Sequence, residues 1–403
     1  MRNKNPLPIL FITLLIDMIG IGMVIPIIPI IFTDPTSSSF LLGNYPESYW
    51  FIIAGLATGL YGLMQFIAAP ILGELSDIYG RKKLLTVGVG VLALSQLVFG
   101  FGILAHSLFL LLASRLIGGL AGANFSIAQA SIADVSKPED KAKNFGLIGA
   151  AFGIGFIAGP ALGGFLASTF HSASAPFWVA GMLGILNLIW ISVMLPETHL
   201  VREAVRKKIT IWRALHNIRD AFTDKDASPL YRATFFYYMG FSFFTSFSGI
   251  YLVHKYSLSE GGLGTYFAAV GIWVVITQVF ILRIVTKHYK EKQILRFSII
   301  SVATAILVLP FMPNLAFQYF LLPLISIPQG LSMANMSALI SKSVSPSKQG
   351  AALGISGSLS AMSQGLVPTL AGLISSFAGV KVPFIIGGLC MYFSWYTLFR
   401  KVK

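Results

Sequence analysis

Long stretches without charge are the feature that most constrains the fold of this chain of 403 residues. Residues 50–72 and 84–104 contain no Asp, Glu, Lys, Arg or His. A helix rises about 1.5 Å per residue, so each stretch is long enough to cross ~30 Å of hydrocarbon. The whole chain is 55% apolar and only 11% charged, well outside the composition of ordinary soluble domains. The pattern predicts an all-α integral membrane protein.

Apolar runs bounded by charges, or by Pro and Gly turns, predict twelve transmembrane helices in two six-helix bundles. The predicted spans are residues 7–32, 50–72, 84–104, 108–132, 143–168, 175–195, 230–254, 262–284, 294–311, 316–341, 350–377 and 382–399. We predict an N-terminal bundle at 1–195, a cytoplasmic linker at 196–229 and a C-terminal bundle at 230–403. Within the linker, residues 211–222 are interpreted either as an amphipathic helix on the inner membrane surface or as a solvated linker.

Related motifs in the two predicted bundles indicate a duplication. Asn124-Phe-Ser corresponds to Asn335-Met-Ser, and Pro160 corresponds to Pro368. Repeats of the same orientation predict a pseudo-two-fold axis along the membrane normal.

The basic residues lie almost entirely in one alternating set of loops. The opposite set contains only Lys255 and Lys381. In a soluble protein the net charge of +14 would suggest a nucleic-acid partner, but this asymmetry is explained by membrane orientation. We expect no nucleic acid, membrane lipids as surroundings, and both termini in the cytoplasm.

Asp17 and Arg115 are the acid and the base that lie deep in predicted spans. Asp17 is about ten residues, or ~15 Å, into the first span, and Arg115 is near the middle of the fourth. Charged side chains at this depth are costly and usually face a partner or a water-filled cavity. We interpret them as a coupled proton site facing a central cavity. A permanent ion pair, or two residues that never meet, are the alternatives.

Residues 73–85 form a charged turn between the second and third predicted spans. Its glycines allow close backbone approach, and one acid stands beside a run of bases. Membrane orientation alone explains the bases but not the acid or the glycines. We predict a latch between the two halves in the outward-facing state, formed by Gly73, Asp77, Gly80, Arg81 and Asp134.

This turn resembles the loop between helices 2 and 3 of the major facilitator superfamily, whose pattern is G-x-L-a-D-r-x-G-r-k-x-x-l. Ile78 departs from it, because the family usually has a base there. The fourth span looks like the family's helix-4 motif, which implies that Arg115 is linked to proton transfer. Asp17 precedes a segment similar to the helix-1 motif of twelve-span drug exporters, where tetracycline-type exporters also have an acid.

The fifth predicted span combines four glycines with one proline. Pro160 removes a helix hydrogen bond and the glycines admit a neighbouring backbone, which predicts a kinked or pliable helix at an interface. The span matches the pattern G-x-x-x-G-P-x-x-G-G, and in the superfamily this motif marks antiporters. The motif residues are Gly155, Gly159, Pro160, Gly163 and Gly164.

Aromatic residues crowd the seventh predicted span, and buried amides recur in the fourth and tenth. Many of the aromatic rings must face lipid, because consecutive residues point in different directions. The remainder could form an apolar pocket for a lipophilic or cationic ligand, with packing as the alternative role for each. The candidate substrate residues are Asn124, Gln129, Tyr237, Tyr238, Phe241, Phe244, Gln329 and Asn335.

The sequence does not indicate an enzyme. It has no catalytic constellation, no metal-ligand spacing and no phosphate-binding loop, so we expect no cofactor and a proton gradient as the energy source. The favoured function is proton-coupled export of lipophilic or cationic drugs or metabolites by alternating access, by a monomer in a bacterial inner membrane. Proton-coupled import of a small metabolite or siderophore is the first alternative. An uncoupled lipid transporter or receptor is the second.

Overall fold

The computed structural model describes residues 5–122, 124–137, 140–199, 213–223, 228–344 and 349–401. Within these ranges the regular elements are all helical. The α-helices are α1 Pro6–Val24, α2 Ile27–Thr33, α3 Glu47–Tyr79, α4 Arg81–Leu104, α5 Leu108–Ala121, α6 Asn124–Val135, α7 Lys141–Thr169, α8 Ala175–Met194, α9 Arg213–Thr223, α10 Ser228–Tyr256, α11 Glu260–Ile276, α12 Leu282–His288, α13 Glu291–Val308, α14 Leu315–Lys342, α15 Gln349–Ala378 and α16 Val382–Lys401.

These helices form twelve membrane spans, which confirms the predicted fold class. The first, fourth and eighth spans are each built from two helices in line, namely α1 with α2, α5 with α6, and α11 with α12. In the described part of the chain, nine helical segments are long and apolar enough to cross a membrane, and Gly153–Thr169 is a shorter apolar helix. Of the α-helices in the described ranges, α9 alone lies outside the spans.

The interruptions within spans have local causes. Pro26 has no N–H to continue α1, and the chain turns there before α2 begins. In the fourth span α5 ends at Ala121 and α6 begins at Asn124, with residue 123 outside the described part. A π-helical turn at Thr277–Ile281 joins α11 to α12, a kind of insertion that often accompanies function.

Successive spans are antiparallel, so their turns lie on two opposite faces. We call the face that carries the turns at Gly80 and Tyr289 the basic face. The face that carries the turns at Ala105 and Gly379 is the distal face.

The two halves meet through glycines between the middle of the spans and the distal face. Gly62 on α3 lies against the backbone of Gly365 on α15, and Gly55 lies against Gly372. In these pairs a Cβ on one glycine would overlap backbone atoms of the partner helix, so only glycine permits the observed approach. The halves are therefore in close contact on the distal side.

The seventh span, α10, is enclosed by other helices, so the prediction that many of its rings face lipid is wrong. Gly240 packs on Gly387 of α16, and Gly249 packs on Pro29 of α2. The predicted aromatic residues are buried or half-buried, and the fully buried ones are Tyr237, Phe243, Phe244, Phe247 and Tyr251. None of these rings is mainly exposed, as rings that face lipid would be.

The linker contains the helix that the amphipathic pattern predicts. Helix α9 packs against α3, α10 and α15, and its Ile218 is buried. The Phe222 ring contacts that of Phe235 edge to face, with centroids 6.0 Å apart, and Arg232 Nη2 donates to the Phe222 carbonyl at 3.4 Å. The other linker residues, 200–212 and 224–227, lie outside the described part. The bundle boundaries stay predictions.

Candidate functional site

Asp17 is buried within the N-terminal half of the protein. Its Oδ2 accepts a hydrogen bond from Asn124 Nδ2 at 3.3 Å, and only 6% of the residue is exposed. No ion pair joins Asp17 to a base among the described residues. A cavity of about 10 Å³, lined by residues of α1, α4 and α8, lies beside the carboxyl and is about large enough for one water molecule.

Arg115 is also buried, and its guanidinium contacts an aromatic ring and one side-chain amide. The guanidinium lies over the Phe99 ring, 4.2 Å from the centroid, and Phe99 stacks on Phe177. Arg115 Nη2 donates to Gln96 Oε1 at 3.4 Å, while its Nε has no partner in the described structure.

Gln96 connects the two predicted proton-site residues, which do not touch each other. Its Nε2 donates to the carbonyl of Gly20, one turn beyond Asp17 on α1, at 3.2 Å, while its Oε1 binds Arg115. The permanent ion pair is therefore absent from this conformation. The expectation that Asp17 faces a cavity between the halves is wrong here, because α4, α6 and α8 enclose its carboxyl. Coupling between Asp17 and Arg115 stays a prediction.

Tyr61 and Gln96 belong to this site although neither is among the predicted site residues. The Tyr61 hydroxyl is buried without a partner, within electrostatic range of both Asp17 and Arg115. Gln96 carries a sequence signal that could have identified it, since it is an amide in an otherwise apolar span. Tyr61 carries no such signal, because a tyrosine in a span usually packs against neighbouring apolar side chains.

Arg81 lies at the centre of the charged cluster on the basic face. Its Nη2 is 2.5 Å from Asp77 Oδ1, and its Nε donates to Asp134 Oδ2 at 3.1 Å. Its Nη1 also bonds Ser76 Oγ and the Gly73 carbonyl. The five predicted latch residues thus gather around one guanidinium at the ends of α3, α4 and α6, with Gly80 as the turn.

Glu197 is a further member of this cluster that the sequence did not suggest. Its Oε1 accepts from the backbone N–H of Arg81 at 2.9 Å, at the first residue of α4, where negative charge is favourable. Gly80 has φ of +100°, and a side chain there would collide with the Glu197 carboxylate. His199 Nδ1 lies 3.4 Å from Asp134 Oδ2. The sequence signal that could have identified Glu197 is its place directly after the sixth span, as an acid on the face where bases predominate.

The described contacts of this cluster lie within the N-terminal half and the first residues of the linker, and none reaches the C-terminal half. The halves meet mainly toward the distal face, so a latch between them stays a prediction for another conformation. The C-terminal half carries an ion pair at the corresponding place with the charges exchanged. There Glu291, at the start of α13, binds Lys342, at the end of α14. Residues 283–295, which occupy in the C-terminal half the place of the charged turn 73–85, therefore also contribute to an ion pair.

We expect Arg81→Lys to slow transport roughly tenfold and to lower the melting temperature. Lysine keeps the charge but cannot bond Asp77, Asp134 and Ser76 together, because that needs a planar group with donors on three sides. The dissociation constant of the substrate, measured on the purified protein, should stay unchanged. Lys83→Arg is the control, since Lys83 is exposed on the same turn. A rate for Arg81→Lys equal to that of wild type would show that the charge alone suffices.

The glycine motif of the fifth span packs against a different helix on each of two sides. Gly155, Gly159 and Gly163 lie one turn apart and pack on Met18, Gly22 and Met23 of α1. On the next side Gly164 packs on Gly264 of α11, in the other half. Helix α7 runs continuously through Pro160. Because α7 packs on α1 by one side and on α11 by another, it lies at an interface between the two halves. It thereby connects α1, which carries Asp17, to the C-terminal half.

The predicted substrate residues occupy several environments. The Tyr237 hydroxyl donates to Gln329 Oε1, so these two groups satisfy each other in a closed core. Tyr238 is half-buried, with its hydroxyl 3.4 Å from Ser356 Oγ. The Phe241 and Phe244 rings lie 5.7 Å apart. Gln129 is half-buried on α6, and Asn335 Nδ2 donates to the Leu331 carbonyl of its own helix. Contact with substrate stays a prediction for all of them.

Comparison with known proteins identifies the family. The model described as Major Facilitator Superfamily matches residues 10–327 and again 230–402. Tetracycline resistance protein, class C, of Escherichia coli is 29% identical over 356 residues, covering 88% of this chain and 85% of that protein. Quinolone resistance protein NorA of Staphylococcus aureus is 29% identical over 293 residues, covering 72% of this chain and 70% of that protein. The human organic anion transporter MFSD10 (TETRAN) superposes with a TM-score of 0.74 at 22% identity over 98% of both chains. The chain belongs to the Major Facilitator Superfamily.

Proposed function

We propose that the protein exports lipophilic or cationic drug-like molecules in exchange for protons. The observation that carries the proposal is a buried carboxyl, Asp17, which accepts from an amide and, among the described residues, bonds no cation. An ionised carboxylate in such a place is unfavourable, so reversible protonation is the chemistry that the site supports. The relatives named for tetracycline and quinolone resistance support drug molecules as the substrate class.

The proposed cycle couples the charge of Asp17 to the direction in which the protein opens. Protonation from the more acidic outer side removes the buried charge and releases substrate outward. The protonated carrier then closes on the distal side, takes up substrate from the cytoplasm and loses the proton there. The close glycine contacts on the distal side support a described conformation in which that side is shut.

Arg115 is proposed to stabilise the ionised carboxylate of Asp17 by its nearby positive charge, without a direct contact. Its charge is buried beside Tyr61 and Gln96, with one donor, Nε, left without a partner. A buried cation that bonds no acid favours the ionised form of an acid nearby. Asp17 on α1 is the acid that a small movement of α1 against α4 would bring closer.

Export is favoured over import of a metabolite or siderophore. Both bacterial relatives described above are named for drug resistance, which removal of the drug from the cell would explain. The glycine motif of α7 adds support, because it resembles the antiporter pattern and contacts both α1 and α11.

We propose an inner-membrane location with both termini in the cytoplasm, since bases predominate on the basic face. On this proposal the protein acts as a monomer surrounded by lipid, catalyses no reaction and needs no cofactor beyond the proton gradient.

Transport into proteoliposomes with an imposed pH gradient tests the proposal. Tetracycline and ciprofloxacin are the probes, each measured with the gradient, without it, and with an ionophore that collapses it. We expect each accumulated probe to move against the proton flow, with accumulation lost when the gradient collapses.

Movement of the probe in the same direction as protons would establish the import alternative. Binding of a probe without gradient-dependent movement would establish an uncoupled receptor or lipid transporter. Phospholipid exchange in the same vesicles, measured with a fluorescent lipid, separates these two.

A further inference from the structure

A groove opens to the membrane between α12, α13 and α14, on the basic-face side of the C-terminal half. Its volume is about 300 Å³, at the lower end of the range for small-molecule sites. Both apolar and polar side chains line it, among them Val285, Tyr289, Gln293, Phe297, Ser301 and Leu331. Tyr289 is 57% exposed and Phe297 is 70% exposed, so the groove is open along its length to whatever surrounds the protein.

The π-helical turn at Thr277–Ile281 marks the end of the groove that lies toward the middle of the membrane. There Gly330 of α14 packs on Thr277, and Gln278 Nε2 donates to the Gly330 carbonyl at 3.4 Å. Beyond this turn none of the residues of α12 is buried. The eighth span therefore contacts α14 at the π-helical turn, and its last helix leaves a space in front of α13.

The groove is about as deep as one leaflet of a bilayer. Helix α13 begins at Glu291, next to the basic face, and Ser301 lies ten residues further, or ~15 Å along the helix axis. The hydrocarbon of one leaflet is also ~15 Å thick, because the whole core measures ~30 Å. One acyl chain in the groove would thus reach from the membrane face to Ser301.

Gln293 lies near the membrane face, at the depth where a phospholipid carries its ester groups. Its Oε1 accepts from the Lys290 N–H at 3.0 Å, at the start of α13. Its side-chain nitrogen has no partner within the described part of the chain, and the residue is exposed. This amide N–H is therefore available to donate to an ester or phosphate oxygen.

Bases surround the end of the groove at the basic face. Those within residues 283–296 are Arg283, Lys287, Lys290, Lys292 and Arg296. The one acid in this segment, Glu291, already binds Lys342. Clusters of this kind between membrane helices suit an anionic lipid headgroup. The linker residues 200–212 are disfavoured as an occupant by like charge, since they contain four bases and one acid.

We propose that this groove binds one anionic phospholipid from the leaflet on the basic face. One acyl chain lies between α12, α13 and α14, and the phosphate lies at the bases of residues 287–292. A lipid without net charge could fill the groove but would leave these bases without a counter-charge. The site lies in the other half from Asp17, so the inference does not depend on the proposed proton exchange.

Photo-crosslinking of the purified full-length protein in phosphatidylcholine nanodiscs tests the proposal. The probe is phosphatidylglycerol with a diazirine in one acyl chain, and peptide mass spectrometry locates the adducts. We expect adducts concentrated on residues 289–301 and 328–331. Unlabelled phosphatidylglycerol should compete for them, and a diazirine phosphatidylcholine should label these residues weakly.

The double variant Lys287→Gln with Lys290→Gln removes two of the bases. The amount of phosphatidylglycerol probe needed for half-maximal labelling should rise about 30-fold, since each base near a membrane surface strengthens binding about fivefold. Lys82→Gln with Lys83→Gln is the matched control, because it removes the same charge from the turn of the N-terminal half on the same face. It should leave labelling of the groove unchanged.

Ser301→Phe keeps every charge and fills the deep end of the groove. We expect it to remove the adducts from this part of α13. Val308→Phe is its control, two turns further along α13 and outside the groove, and melting temperatures establish that both variants are folded.

Three results would overturn the proposal. Adducts spread evenly over the exposed residues of all spans would mean ordinary surrounding lipid. Equal labelling by the phosphatidylcholine probe, or unchanged labelling in the double lysine variant, would mean that the bases do not select the lipid. Displacement of the adducts by tetracycline would assign the groove to a transported drug.

Discussion

Asp17→Asn is expected to abolish drug accumulation driven by a pH gradient. Asparagine has nearly the same size as a protonated aspartate, so packing and the contact with Asn124 are kept while the exchangeable proton is lost. The fall should reach about 100-fold or more, equivalent to ~2.7 kcal/mol on the limiting barrier. The measurement is tetracycline transport into proteoliposomes with an imposed gradient.

Exchange of labelled for unlabelled tetracycline without a gradient should survive in Asp17→Asn. This exchange needs the carrier to reorient with substrate bound, and it needs no proton to be released. Asp34→Asn is the matched control. Asp34 lies just after the first span, and its Oδ1 accepts from the Thr36 N–H and hydroxyl, contacts that an asparagine oxygen can keep.

Gradient-driven transport by Asp17→Asn at the wild-type proton ratio would place the proton site elsewhere. Loss of both gradient-driven transport and exchange would indicate a structural role for the acid, which a lowered melting temperature would then support.

The sequence predicts the spans of this protein because hydrocarbon imposes a simple rule on length and charge. Residues 84–104 carry no ionisable side chain and are long enough to cross a membrane, and in the structure they belong to α4. Family motifs extend the prediction to individual contacts where a side chain has few possible partners. Arg81 and Asp134, at the ends of two neighbouring spans, are such a case.

The sequence could not predict which way a side chain turns inside its bundle. Asp17 and Arg115 are at similar depth, but rotation about the helix axes separates them and brings in Gln96 and Asn124 instead. The burial of the α10 rings has the same cause, since which helices enclose α10 is decided by packing across the whole fold. Glu197 reaches Arg81 from a distant part of the chain, and no local pattern records that contact.

Gly365→Ala is expected to open the distal side and to slow transport about tenfold or more. A Cβ on Gly365 would lie 2.7 Å from the Leu63 nitrogen and 2.8 Å from its Cα, both of which are backbone atoms that cannot rotate away. Helices α3 and α15 must therefore separate. Overpacking of this kind costs about 1–3 kcal/mol, enough to move a two-state population roughly 5- to 150-fold.

Gly357→Ala on the same helix is the control. A Cβ there meets no atom within 4 Å, so the substitution only exchanges glycine for a better helix former. Spin labels at Ser48 and Lys381, in a Cys390→Ser background, report the distance between the two halves on the distal face by pulsed electron resonance. Gly365→Ala should shift the distances to longer values and Gly357→Ala should not.

The double variant Gly62→Ala with Gly365→Ala separates a contact that is essential to the cycle from one that is only tight. Both glycines belong to one helix crossing, since a Cβ on Gly62 would lie 2.7 Å from the Gly365 nitrogen. Once the first alanine has separated the helices, the second should add little, so the two effects on distance and on rate should be far from additive. Additive effects would mean that each alanine is accommodated locally with α3 and α15 still in contact. In that case the distal glycines would stabilise the fold without controlling the conformational change, and closure of this side would depend on α7 and α11, where Gly164 meets Gly264.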